Sequence, residues 1–99
     1  MTKRQFKNMM VKALQGDDVF FANEFEETGI ILTECQDGVW YVVVELNDED
    51  EDYRYEFNPE MGVNDIAASL IDEMWEENGS LMEDFKRISW SKYDEYTCG

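Results

Sequence analysis

The stretch Ile30-Ile31-Leu32-Thr33-Glu34-Cys35-Gln36-Asp37-Gly38-Val39-Trp40-Tyr41-Val42-Val43-Val44-Glu45-Leu46 decides the fold class. Two runs rich in β-branched residues flank Asp37-Gly38. A tight hairpin turn needs positive φ at both central positions, and Asp-Gly supplies it. The spacing predicts antiparallel strands over Ile30–Cys35 and Val39–Leu46.

Moving towards the C-terminus, Asn47 leads into the carboxylates Asp48, Glu49, Asp50, Glu51 and Asp52. Tyr53-Arg54-Tyr55-Glu56-Phe57 then alternates aromatic and charged residues, as a half-buried strand does. The acidic run is therefore the connection between the second and third of these strands. It fails as a calcium loop. With Asp48 as first ligand, Tyr53 stands where the sharp turn needs glycine, and Pro59 where the bidentate glutamate belongs.

Helical periodicity brackets the strands. Thr2 and Gln5 have capping-box spacing, and Phe6, Met9, Met10, Ala13 and Leu14 form one apolar stripe ended by Gly16. A second helix starts near Val63 or Asn64. It carries Ile66, Ala67, Leu70, Ile71, Met74 and Trp75 on one face and Asp65, Asp72, Glu73, Glu76 and Glu77 on the other. Gly79 is read as its stop. Ser80 and Glu83 then suggest a second capping box, opening a short helix with Leu81, Met82 and Phe85. Val19–Phe25 fits a strand or a loop, and Ile88–Tyr96 an extension of the last helix or an extra strand. The expected architecture is one α+β domain over residues 1–99, ordered α-β-β-β-α-α. Its three-stranded antiparallel sheet would carry its helices on one face.

Composition narrows the function. The chain has 24 acids, 8 bases and no histidine, for a formal net charge of −16. Its 43% hydrophobic content supports a packed core and excludes a disordered acidic tail. A net charge of magnitude about 2–8 already keeps a small domain soluble, so the excess points to a basic partner. Salt adaptation of the source organism would produce it too. The charge is segregated: residues 1–16 hold four bases and no acid, while residues 17–85 hold 22 acids and only Arg54 as a base.

No catalytic constellation is present. The usual general base at neutral pH is missing with histidine, and Cys35 and Cys98 lie in no electropositive setting. They also lack the spacing of a zinc site. The reading is a non-enzyme without metal or cofactor, its thiols those of a cytosolic protein. No apolar run is long enough to serve as a secretory signal core or a membrane span. The element order is shared with double-stranded RNA-binding domains. The positions those domains use for phosphate here carry Asp65, Asp72 and the Asp48–Asp52 run, so direct nucleic-acid binding is not expected.

Asp72 with Glu76, and Glu73 with Glu77, are like-charge i, i+4 pairs, each costing about 0.2–0.5 kcal/mol on an isolated helix. Their presence favours a surface built to be negative over a merely solvated turn. The expected partner-binding set is Asp48, Glu49, Asp50, Glu51, Asp52, Tyr53 and Glu56 with Asp72, Glu73, Glu76 and Glu77. In charge, size and order, the helix Lys3–Leu14, the hairpin ILTECQDGVWYVVVEL, the run DEDEDYRYEF and the helix NDIAASLIDEMWEENG together resemble small acidic inhibitors of phages and mobile elements. These include DNA-mimic anti-restriction and anti-CRISPR proteins. One anti-CRISPR family, which blocks a type II effector nuclease at its DNA-recognition surface, is similar in size and element order. The resemblance implies a DNA-mimic inhibitor acting in the cytoplasm of a bacterial host. Its partner would be a basic nucleic-acid-binding protein, a CRISPR effector nuclease or restriction enzyme. The rival expectation is a regulatory or assembly module pairing through a sheet edge or a Met/Trp surface.

Overall fold

The computed structural model describes residues 1–46 and 51–98, leaving the side chains of Glu51 and Asp52 outside the description. The order is α1 (Lys3–Leu14), β1 (Val19–Ala22), β2 (Thr28–Gln36), β3 (Val39–Leu46), β4 (Glu51–Phe57), α2 (Val63–Met82), β5 (Lys86–Ile88) and α3 (Trp90–Cys98). The class is α+β. The sheet, however, has five strands rather than three, in the order β4-β3-β2-β1-β5, and every neighbouring pair is antiparallel.

The local signals behave as chemistry demands. Thr2 Oγ1 accepts from the Gln5 amide at 3.2 Å and Gln5 Oε1 from the Thr2 amide at 2.8 Å, closing the capping box of α1. Thr2→Ala is expected to cost about 1 kcal/mol, measured by urea denaturation; an unchanged midpoint would show that tertiary packing alone holds this end. Gly16 ends α1 at φ 99°, and Asp37 and Gly38 turn the β2–β3 hairpin at φ 54° and 81°.

α1 and α2 cover one sheet face. Phe6, Met10, Phe21, Ile31, Val42, Val44 and Met74 are fully buried in this core. Leu70, expected as a core residue, is only partly buried against it. Strand residues alternate between faces, so Phe20 and Val43 point to the other side. There α3 packs, with the Tyr93 and Phe20 rings 4.5 Å apart. The helices therefore lie on both faces, which corrects the one-face expectation. α3 buries no residue fully and makes a thin cover. Among the described residues, no helix is long and apolar enough to cross a membrane.

Two segments left open by the sequence are resolved, and two local readings, the Gly79 stop and the Ser80 cap, are overturned. β1 and β5 are strands, although β1 has four residues and β5 three. Segments this short carry too little periodicity to declare themselves, and they exist because each finds a partner: Phe20 pairs with both Ile30 and Ile88. Gly79 does not stop α2, which runs on to Met82. A Cβ at Gly79 would lie 2.9 Å from Trp75 Cε2, so this glycine makes room for the indole one turn earlier. The buried Met82 and Phe85 repay the modest helix penalty of glycine, about 1 kcal/mol. Ser80 thus lies inside the helix and caps nothing. The N-terminal ammonium of Met1 instead closes this helix end, donating to the carbonyls of Met82, Glu83 and Phe85 at 2.7–3.0 Å. A positive charge is favourable there against the helix dipole.

Candidate functional site

The expected acidic residues fall into different environments. Asp48, Glu49 and Asp50 lie outside the described residues, as do the side chains of Glu51 and Asp52. The backbones of Glu51 and Asp52 begin β4, opposite Leu46 and Glu45. Tyr53 is partly buried and packs against the core. Glu56 is paired with Tyr41 and, by strand alternation, faces away from α2. That face also carries Arg54, whose guanidinium bonds Glu34 at 2.8 Å. Glu56 is therefore not part of a joint surface with the α2 acids.

On α2, Asp72, Glu73, Glu76 and Glu77 are all exposed, as expected. Two of them have internal duties. Lys3 reaches from α1 to Asp72 at 2.5 Å, and its hydrogen bond and charge hold the carboxyl below the usual range. Glu77 accepts from the Tyr55 hydroxyl at 2.8 Å. Tyr55 oxygen in turn accepts from Asn78 Nδ2 at 2.9 Å, and that same amide donates to the Met74 carbonyl at 2.9 Å. Burial, followed by the Glu77 bond, pushes the Tyr55 phenol far above its ordinary value.

The folded state holds the Tyr55 proton more tightly than the unfolded state, whose phenol titrates near about 10. Its contribution is complete below that pH and is lost as pH rises beyond it. Stability of the parent is expected to fall faster above pH ~10 than that of Tyr55→Phe. Parallel slopes in alkaline denaturation series would contradict the linkage.

A further gathering of exposed acids lies outside the expected set. One row of paired residues crosses the whole sheet: Arg87, Phe21, Gly29, Leu46 and Glu51. Beyond it, at one end, lie the β1–β2 turn and the α2–β5 connection, and the strands flanking the β3–β4 connection end there. The turn exposes Glu24, Glu26 and Glu27, and the α2–β5 connection exposes Glu83 and Asp84. Basic groups near this end include Lys86, Arg87 and the Met1 ammonium, with Lys92 lying over the Tyr96 ring. These acids escape a linear reading because β1 must be recognised before its turn can be placed. The available signal was Asn23 with Glu27, flanked by apolar residues.

The turn is held firmly. Asn23 Oδ1 accepts from the amides of Phe25 and Glu27, both at 3.0 Å, and the Asn23 amide donates to the Glu27 carbonyl at 3.0 Å. Glu26 sits at φ 62° to complete the bend. Phe25 consequently projects from its tip with 72% of its surface exposed. Two concavities flank the turn. One, of about 450 Å³, includes Glu24, Glu83, Lys86 and Tyr96. The other, of about 280 Å³, includes Phe25, Glu27, Leu46, Leu81 and Asp84. Among the described residues, no His, Cys, Asp and Glu side chains converge in a group suited to a metal ion. Cys35 and Cys98 are both free and exposed.

No protein-family model, curated protein or solved structure matches this chain.

Proposed function

We propose that the protein is an acidic DNA-mimic inhibitor. It binds the nucleic-acid groove of a defence nuclease, of CRISPR-effector or restriction type, and blocks DNA recognition. The observation that supports this most is the collection of Glu24, Glu26, Glu27, Glu83 and Asp84 at the sheet end where β3 and β4 flank the acidic run. Duplex DNA carries one charge per about 1.7 Å of axis, and a groove built for it attracts any surface of comparable charge density. Glu73 and Glu76 extend the negative surface along α2, whereas Asp72 and Glu77 are engaged within the fold. The protein does the work by occupancy; no covalent step is involved.

A DNA-binding assay on a panel of CRISPR effectors and restriction nucleases tests this reading. At least one should lose DNA binding as the protein is added, with excess DNA relieving the effect and salt weakening it. Failure to inhibit any member, with proteins captured from host lysate not displaced by duplex DNA, would overturn mimicry. The regulatory-module reading would then stand in its place, drawing on the exposed Trp40 and Met61.

A further inference from the structure

We infer that the groove between the β1–β2 turn and the end of α2 is a docking site for an arginine-bearing apolar segment of a partner protein. The inference rests on the proposed function for the partner's basic character, and deepens it by naming the contact. The floor and walls are Phe25, Leu46, Leu81 and Phe85; Glu27 and Asp84 stand among them. At about 280 Å³ the groove takes one large side chain and part of a neighbour.

Arginine fits this chemistry better than a wholly apolar residue or a simple ammonium. Its methylene stem covers apolar surface while its planar head stacks on an aromatic face and bonds carboxylates in a forked geometry. The Asn23 bonds fix the backbone of the turn that carries Phe25, so little backbone order is lost on binding. A second copy of this chain is disfavoured as occupant, because it would bring another body of net charge −16 against the same carboxylates.

The test is a titration of the full chain, followed by amide NMR, with the peptide acetyl-Gly-Leu-Arg-Gly-amide and its citrulline counterpart. The arginine peptide should move the signals of Phe25, Glu27, Leu81 and Asp84 saturably, and the citrulline peptide should bind about tenfold more weakly or worse. Phe25→Ala and Asp84→Asn should each reduce the response by roughly tenfold, the loss expected at a binding hot spot. Both side chains are exposed, and unchanged spectra elsewhere verify that the variants fold. Shifts spread equally over α2 and the sheet end, or unaltered by Phe25→Ala, would overturn the groove. Concentration-dependent dimerisation through this face in sedimentation would also overturn it, in favour of self-association. The outcome is separable from the nuclease assay. Groove binding without nuclease inhibition keeps the site and removes mimicry, while inhibition with a silent groove does the reverse.

Discussion

Gly29→Ala is expected to be among the most destabilising single-methyl additions in the protein. Gly29 is buried in β2 between Phe21 on β1 and Leu46 on β3. A Cβ there would enter the edge of the Phe21 ring and lie 2.8 Å from the Glu45 carbonyl oxygen. The ring cannot swing away freely, since Phe21 is fully buried and meets Phe85 edge-on at 5.1 Å. The carbonyl is fixed by the sheet. Overpacking costs about 1–3 kcal/mol when neighbours adjust, and occasionally more; two constrained neighbours place Gly29→Ala at or above the top of that range. Phe21→Ala alone should cost about 3–5 kcal/mol through lost burial and the cavity left behind. The double variant should lose less than the sum, because removing the ring vacates the space that the new methyl needs. Urea denaturation of the four proteins gives the coupling. Strict additivity, or a Gly29→Ala cost under about half a kcal/mol, would show that β1 and β2 do not meet as described.

The largest functional effect is expected from neutralising the sheet end. Glu24→Gln, Glu27→Gln and Asp84→Asn together remove three exposed charges with little change of shape. Association with the basic target should slow by roughly tenfold or more at low salt, and its salt dependence should become shallower. Changing Asp48, Asp50 and Asp52 to Asn should act in the same direction if the run adjoins the same partner surface. Asp72→Asn is the control: Lys3 already answers that charge within the fold, so inhibition should hardly change. Stopped-flow association across a salt series reads all of this. An unchanged rate and slope for the triple variant would remove the sheet end from the encounter surface. A large loss from Asp72→Asn would place the contact on the α1–α2 side.

Several features were legible because their causes are local. The Asp37-Gly38 turn needs only its own dihedral preferences and the apolar runs beside it. The cap of α1 needs only Thr2 and Gln5, three residues apart. The stripe from Ile66 to Met74 identifies α2 through its period. Gly79 misled for the converse reason: its role depends on Trp75 and on the burial of Met82, which outweigh a weak propensity. β5 was hidden because Lys86 and Arg87 are exposed, and only Ile88 shows a partly buried side chain.

The candidate surface divides the same way. The excess of acid and its confinement to residues 17–85 are properties of the chain alone, as are the central hairpin and the first helix. Which acids share a surface is a property of the tertiary structure. Antiparallel pairing sends alternate connections to the same end of the sheet, so the β1–β2 turn joins the end where β3 closes and β4 opens only once β1 is in place. The pairing of Lys3 with Asp72 spans 69 positions of sequence, and that of Tyr55 with Glu77 spans 22. Local propensity acts over a few residues and cannot specify such partners. Packing of α1 on α2, and of α2 across β4, decides which carboxylates remain facing outwards.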